Sequence, residues 1–138
     1  MTAKPCHTAL LCAVALTAIS STAHATPCGG IDRSLAPARR TELETRLARE
    51  LHVKKADIVQ SFKKETWSIL YVRTPAADET FLFYNHNPSY TQHIAQWSGA
   101  AKPEEENAIK AWTLGHAAGI PESLADCFAW HVTRERDK

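Results

Sequence analysis

The sequence predicts an α+β domain: a helix, an antiparallel three- or four-stranded meander, a second helix and a short C-terminal strand, closed by one disulfide. Three observations carry that expectation. Two helical stretches each begin at a proline, Pro37 and Pro103, a residue suited to a first helical turn. Between them, Trp67 to Arg73 alternates Trp67, Ile69, Tyr71 against Ser68, Leu70, Val72, the period of a strand. The connections in that middle segment are too short for parallel crossovers, so the strands should run antiparallel.

Residues 1–25 are expected to be a cleavable export signal. Lys4 supplies the positive start, Ala9 to Ile19 is an apolar or small run, and Ala23-His24-Ala25 ends it as a signal peptidase site does. The run is too short to span a bilayer, and no second one follows. Neither Cys12 nor Cys28 lies in a context that would take lipid, so the product should be soluble. What remains, residues 26–138, has the length of one domain, with an expected location in a periplasm or outside the cell.

The elements follow in order. After an arm carrying Cys28, Gly29 and Gly30, the helix from Pro37 to about Leu51 places Leu43, Leu47 and Leu51 on one stripe. Charged residues cover its remainder, with Glu42 and Arg46 spaced for an i,i+4 pair. Strands are expected over Ile58–Phe62, Trp67–Arg73 and Thr80–Tyr84, and a fourth over Thr91–Trp97. The turn over residues 74–78 contains Pro75, which a sheet interior excludes. Glu104, Glu105 and Glu106 complement the start of the second helix, and Gly119 ends it. Ile109, Trp112, Thr113 and His116 should form its buried face. Phe128, Trp130 and Val132 alternate with Ala129 and His131, which reads as a final strand, a continued helix being the alternative. The helices are expected on one face of the sheet.

Composition removes several functions. Lys4 leaves with the signal, so fifteen basic residues face fifteen acidic ones. A balanced chain lacks the electrostatic footprint of a nucleic-acid binder and has no charge-driven affinity for anionic membrane. Of four cysteines, Cys6 and Cys12 also leave, and Cys28 and Cys127 can pair in only one way. Closing so long a loop is worth roughly 4–5 kcal/mol in the chain-entropy view. No Cys-x-x-Cys motif points to redox chemistry instead.

No catalytic constellation stands out. The five histidines outside the expected signal, His52, His86, His93, His116 and His131, show no metal-ligand spacing, although His86 and His93 flank a loop and could converge. There is no Gly-x-Ser-x-Gly elbow, no phosphate-binding glycine loop and no cofactor motif. Asp78 and Glu79 are expected in a hairpin turn, where acids are routine. Core packing is the expected role of Trp67, Trp112 and Trp130, whereas Trp97 precedes a flexible Ser-Gly-Ala-Ala turn and should be partly exposed. The segment from Tyr84 to Tyr90 joins two rings to polar turn formers, a composition suited to adaptable recognition.

Residues 119–132, and Trp67–Val72 followed by Phe81–Tyr84, resemble small exported bacterial proteins with no assigned function. That resemblance implies an exported single domain and carries no catalytic residue across.

The expected function is therefore an exported binding module that contacts a protein or envelope component, as an inhibitor, an immunity-type protein or an accessory factor. Tyr84, Asn85, His86, Tyr90 and Trp97 are its candidate contacts. A small envelope hydrolase or metal-dependent enzyme using His86 and His93 is the first alternative. The second is a small-ligand binder with an apolar cavity between helix and sheet, lined by Trp112 and the meander.

Overall fold

The computed structural model describes residues 25–136, so the signal expected over residues 1–25 lies outside the described residues but for Ala25. The chain runs α1 (Pro37–Glu50), β1 (Asp57–Lys64), β2 (Trp67–Thr74), β3 (Ala77–Tyr84), β4 (Ala95–Ser98), a single 3-10 turn (Pro103–Glu105), α2 (Glu106–His116) and α3 (Glu122–Arg134). The strands form one antiparallel meander in the order β1-β2-β3-β4.

The meander is tighter than the sequence suggested. Lys64 pairs with Trp67 across the turn residues Glu65 and Thr66, and Thr74 pairs with Ala77 across Pro75 and Ala76. Asp78 and Glu79 thus sit on β3 rather than in a turn. There Glu79 accepts a hydrogen bond from the Tyr71 hydroxyl at 2.7 Å and pairs with Arg73 at 2.5 Å. These bonds, Tyr71's first, hold its carboxyl below the usual range. The fourth strand is only the second half of the segment expected for it.

The final strand is overturned. Residues 122–134 are helical, and within them His131 is fully buried while Trp130 is only half-buried, the reverse of the alternation. Leu124, Phe128 and Val132 recur at i, i+4, i+8, with Ala125, Cys127 and Ala129 beside them. A helix buried around most of its circumference gives a nearly continuous apolar run, and five residues of that run mimic a strand.

The layering also differs from expectation, because helices cover both faces of the sheet. Alternate strand residues point to opposite faces. Ile69, Tyr71, Phe81 and Phe83 pack with Leu124, Phe128 and Val132 of α3 and Ile109 of α2. Their neighbours Leu70, Val72, Leu82 and Tyr84 pack instead with Leu43 and Leu47 of α1. On the α2/α3 face the rings interlock: Phe128 lies 5.1 Å from Phe81, 5.0 Å from Phe83 and 5.7 Å from Trp97, all edge to face. His131 is enclosed there, 4.9 Å from the Phe62 ring. The disulfide Cys28–Cys127 ties the N-terminal arm to α3, and Asp32 of that arm pairs with Lys63 at the edge of β1.

The helix faces agree with expectation in part. Leu43 and Leu47 are buried under α1. On α2, Ile109 and Thr113 are buried and Trp112 is half-buried, but His116 is exposed, stacked on Trp112 at 4.5 Å. None of the described helices is long and apolar enough to cross a membrane.

Candidate functional site

The polar stripe of α1 and the loop joining β3 to β4 form one unit. Arg39, Glu42, Arg46 and Glu50 are separated by three, four and four residues, which aligns them along one side of the helix. Four alternate loop residues, Asn87, Ser89, Thr91 and His93, meet them in the same order. Arg39 donates to the Asn87 side-chain oxygen and to Ser89 Oγ, and Ser89 Oγ in turn donates to Glu42. Arg46 reaches the Thr91 carbonyl at 3.4 Å. Glu50 Oε1 accepts the His93 backbone N–H at 2.9 Å and its ring Nδ1 at 2.6 Å. A carboxylate only accepts, so Nδ1 carries the proton. The expected Glu42–Arg46 pair gives way to Arg39–Glu42 at 2.7 Å and Arg46–Glu50 at 3.7 Å.

Burial grades this zipper. The Glu50 side chain is 3% exposed, and it also accepts the Tyr84 hydroxyl at 3.2 Å. Burial, and then the neighbouring Glu50 carboxylate, pushes the Tyr84 phenol well above its ordinary range. At the other end Glu42 is exposed, and the hydrogen bonds from Ser89 and then Arg39 hold its carboxyl below the usual range. The zipper therefore runs from a buried, charged anchor at Glu50 to a solvated one at Glu42.

The five candidate contacts do not share one surface. Tyr84 is 0% exposed, its ring within the α1-face core, so no partner can touch it; the reading of Tyr84 as a contact is corrected to a core role. Trp97 opposes Phe81 in the sheet and packs half-buried against it at 5.9 Å, on the α2/α3 face. Asn85 is half-buried and His86 exposed. Tyr90 is 83% exposed at the crest of the loop, and Ile94 is exposed at its descending end. Of the two histidines of the enzymatic alternative, His93 bonds to Glu50. Among the described residues no three His, Cys, Asp or Glu side chains are grouped to hold a metal.

Beneath the start of the same loop lies a cleft of about 490 Å³. Its floor is formed by Ser61 of β1 with Ser68 and Leu70 of β2. One wall is the beginning of α1, and His86, Asn87 and Pro88 overhang it. This is a space between helix and sheet, but on the face opposite Trp112, whose ring packs 5.9 Å from Phe83.

Sequence reasoning missed Arg39, Glu42, Arg46, Glu50, Ser89 and His93 as a set. The periodic charges on α1 were visible, but nothing local says which loop a charged stripe will meet. Compared with protein-family models, curated proteins and solved structures, the chain matches none.

Proposed function

We propose that the chain is an exported contact module, acting in a periplasm or outside the cell, that recognises a protein or envelope component through the outer side of the β3–β4 loop. One observation carries this reading. Tyr90 is 83% exposed although the residues on both sides of it are fastened to α1, Ser89 by Arg39 and Glu42 and Thr91 by Arg46. An exposed aromatic on a fixed backbone loses little conformational entropy on binding, and tyrosine is among the residues that dominate interface energies. Ile94, further along the same loop, is a second exposed apolar side chain. The Cys28–Cys127 bond suits an oxidising compartment and supports export.

The test is photo-crosslinking in intact cells. A photoreactive residue is placed at position 90, and separately at exposed Glu104 beside α2. A discrete adduct from position 90 and none from position 104 is the expected result. No adduct at 90, or equal labelling at both positions, overturns the reading.

A further inference from the structure

The cleft beneath the β3–β4 loop holds polar groups that the fold does not use. Ser61 and Ser68, both in its floor, are each 7% exposed. Neither hydroxyl has a hydrogen-bond partner among the described residues. Elsewhere in the sheet Ser98 donates to Thr80 at 2.8 Å, and Thr80 donates to the Trp97 carbonyl at 3.1 Å. Both side chains line the cleft, where a polar occupant can take the hydrogen bonds that the fold leaves unmade.

Charge narrows the chemistry. Four charged side chains line the cleft besides His86: Asp32, Arg39, Lys63 and Glu65. Arg39 is committed to Glu42, Asn87 and Ser89, and Asp32 accepts both the N–H and the hydroxyl of Ser34. Those Ser34 bonds, the side-chain one first, hold the Asp32 carboxyl below the usual range. Lys63 and Glu65 make no salt bridge among the described residues, although the Lys63 charge also helps to lower the Asp32 carboxyl. The first turn of α1, in the same wall, has no side-chain cap and no acidic residue. Its open N–H groups and dipole favour a carboxylate. The rest of the lining, Leu35, Leu43, Leu70 and Pro88, is apolar. No Trp, Tyr or Phe lines the cleft to stack on a sugar ring.

We propose that this cleft binds a small zwitterion with an apolar body, either an apolar amino acid or a short apolar peptide. Its carboxylate is recognised by Lys63 and the open start of α1, its ammonium by Glu65, and its polar backbone by Ser61 and Ser68. The volume lies within the usual range for small-molecule sites, about 300–1,000 Å³. This site is separate from the outward surface at Tyr90, so either can fail alone.

The experiment is an amide-resolved NMR titration of the mature, oxidised chain at millimolar ligand. The probes are leucine, alanyl-leucine, N-acetyl-alanyl-leucine amide and glucose. Saturable shifts at Ser61, Lys63, Ser68 and His86 with leucine or alanyl-leucine are expected, and the stronger binder of the two identifies the source. The doubly blocked peptide should bind at least about tenfold more weakly, since each tenfold is about 1.4 kcal/mol and two charge-assisted contacts are lost. Lys63→Ala, at an exposed position that leaves the core intact, should weaken alanyl-leucine about tenfold. Ser61→Ala with Ser68→Ala should weaken it further while the chain stays folded. No saturable shift with either zwitterion overturns the proposal. So does equal affinity for the blocked peptide, a preference for glucose, or full affinity in the double serine variant.

Discussion

The two faces of one sheet are spent in opposite ways. On the α2/α3 face, apolar residues from β1, β2 and β3 meet two helices, and Phe62, Phe81, Phe83 and Phe128 close the space with ring contacts. On the α1 face the same strands alternate to Leu70, Val72, Leu82 and Tyr84, which pack against a single helix. Beside them Ser61 and Ser68 line a cleft, and α1's other side is occupied by a loop held through charges. The difference teaches where each property resides. Directionless apolar burial stabilises one face, whereas directional polar contacts on the other fix the position of a loop and leave a cleft open.

If stability is concentrated on the α2/α3 face, its covalent tie should show the largest effect. Cys28→Ser paired with Cys127→Ser opens a loop spanning a sequence separation of 99 residues. The chain-entropy view predicts a loss of about 4–5 kcal/mol, read as a lower urea midpoint at unchanged slope. A midpoint that does not move would mean the ring packing alone secures this face.

The next largest effect should come from the buried end of the zipper. Glu50→Gln keeps the shape but removes the charge facing Arg46 and His93. A loss of about 2–3 kcal/mol is expected, at the lower end for a broken buried pair because the Arg46 and His93 side chains are both partly exposed. Amide exchange at His93 should accelerate with it, since that N–H bonds to Glu50. A change within about 0.5 kcal/mol would place Glu50 among ordinary surface residues and break the contrast between the faces.

These contrasts explain what was legible in the chain and what was not. Leu43, Leu47 and Leu51 announced α1, because an element buried on one side writes its period into the sequence. β2, buried on both faces, was legible from its aromatic and β-branched residues between turns. Phe128 to Val132 misled because α3 is buried nearly all round and its period is blurred. The side of the sheet that each helix covers was unreadable, since both faces of β2 and β3 are apolar and either would accept Leu43 and Leu47. Tyr84 looked like part of a recognition loop because it adjoins Asn85 and His86, yet strand alternation turns its ring into the core. The Glu50–His93 pair spans 43 residues and has no local signature. Ser61 and Ser68 look like ordinary strand positions until the cleft that they line is seen.

The solvated end of the zipper supplies the smallest effect, and it is one of pH. Glu42 titrates below its ordinary value of 4.5 in the native state, chiefly through the Ser89 hydrogen bond and secondarily through Arg39. A depressed native value means that the unfolded chain binds the proton more readily. The contribution is therefore complete above the ordinary carboxylate range and lost as pH falls through the native value. Glu122, on the other face, is depressed in the same direction by its hydrogen bond from Lys110. Both should contribute to acid sensitivity, so global unfolding alone does not distinguish them. The loop does. Tyr90 donates its N–H to the Asn87 carbonyl at 3.0 Å within the segment that Arg39 and Glu42 hold. Protection of that amide should fall below about pH 4.5 in the wild-type chain and in Glu122→Gln. In Glu42→Gln it should already be reduced at neutral pH and should vary less on acidification. If Glu122→Gln changes Tyr90 protection as much as Glu42→Gln does, the loop responds to overall stability and the zipper does not control it. A response confined to Glu42→Gln would show that solvated polar contacts set the order of the molecule's most exposed aromatic residue.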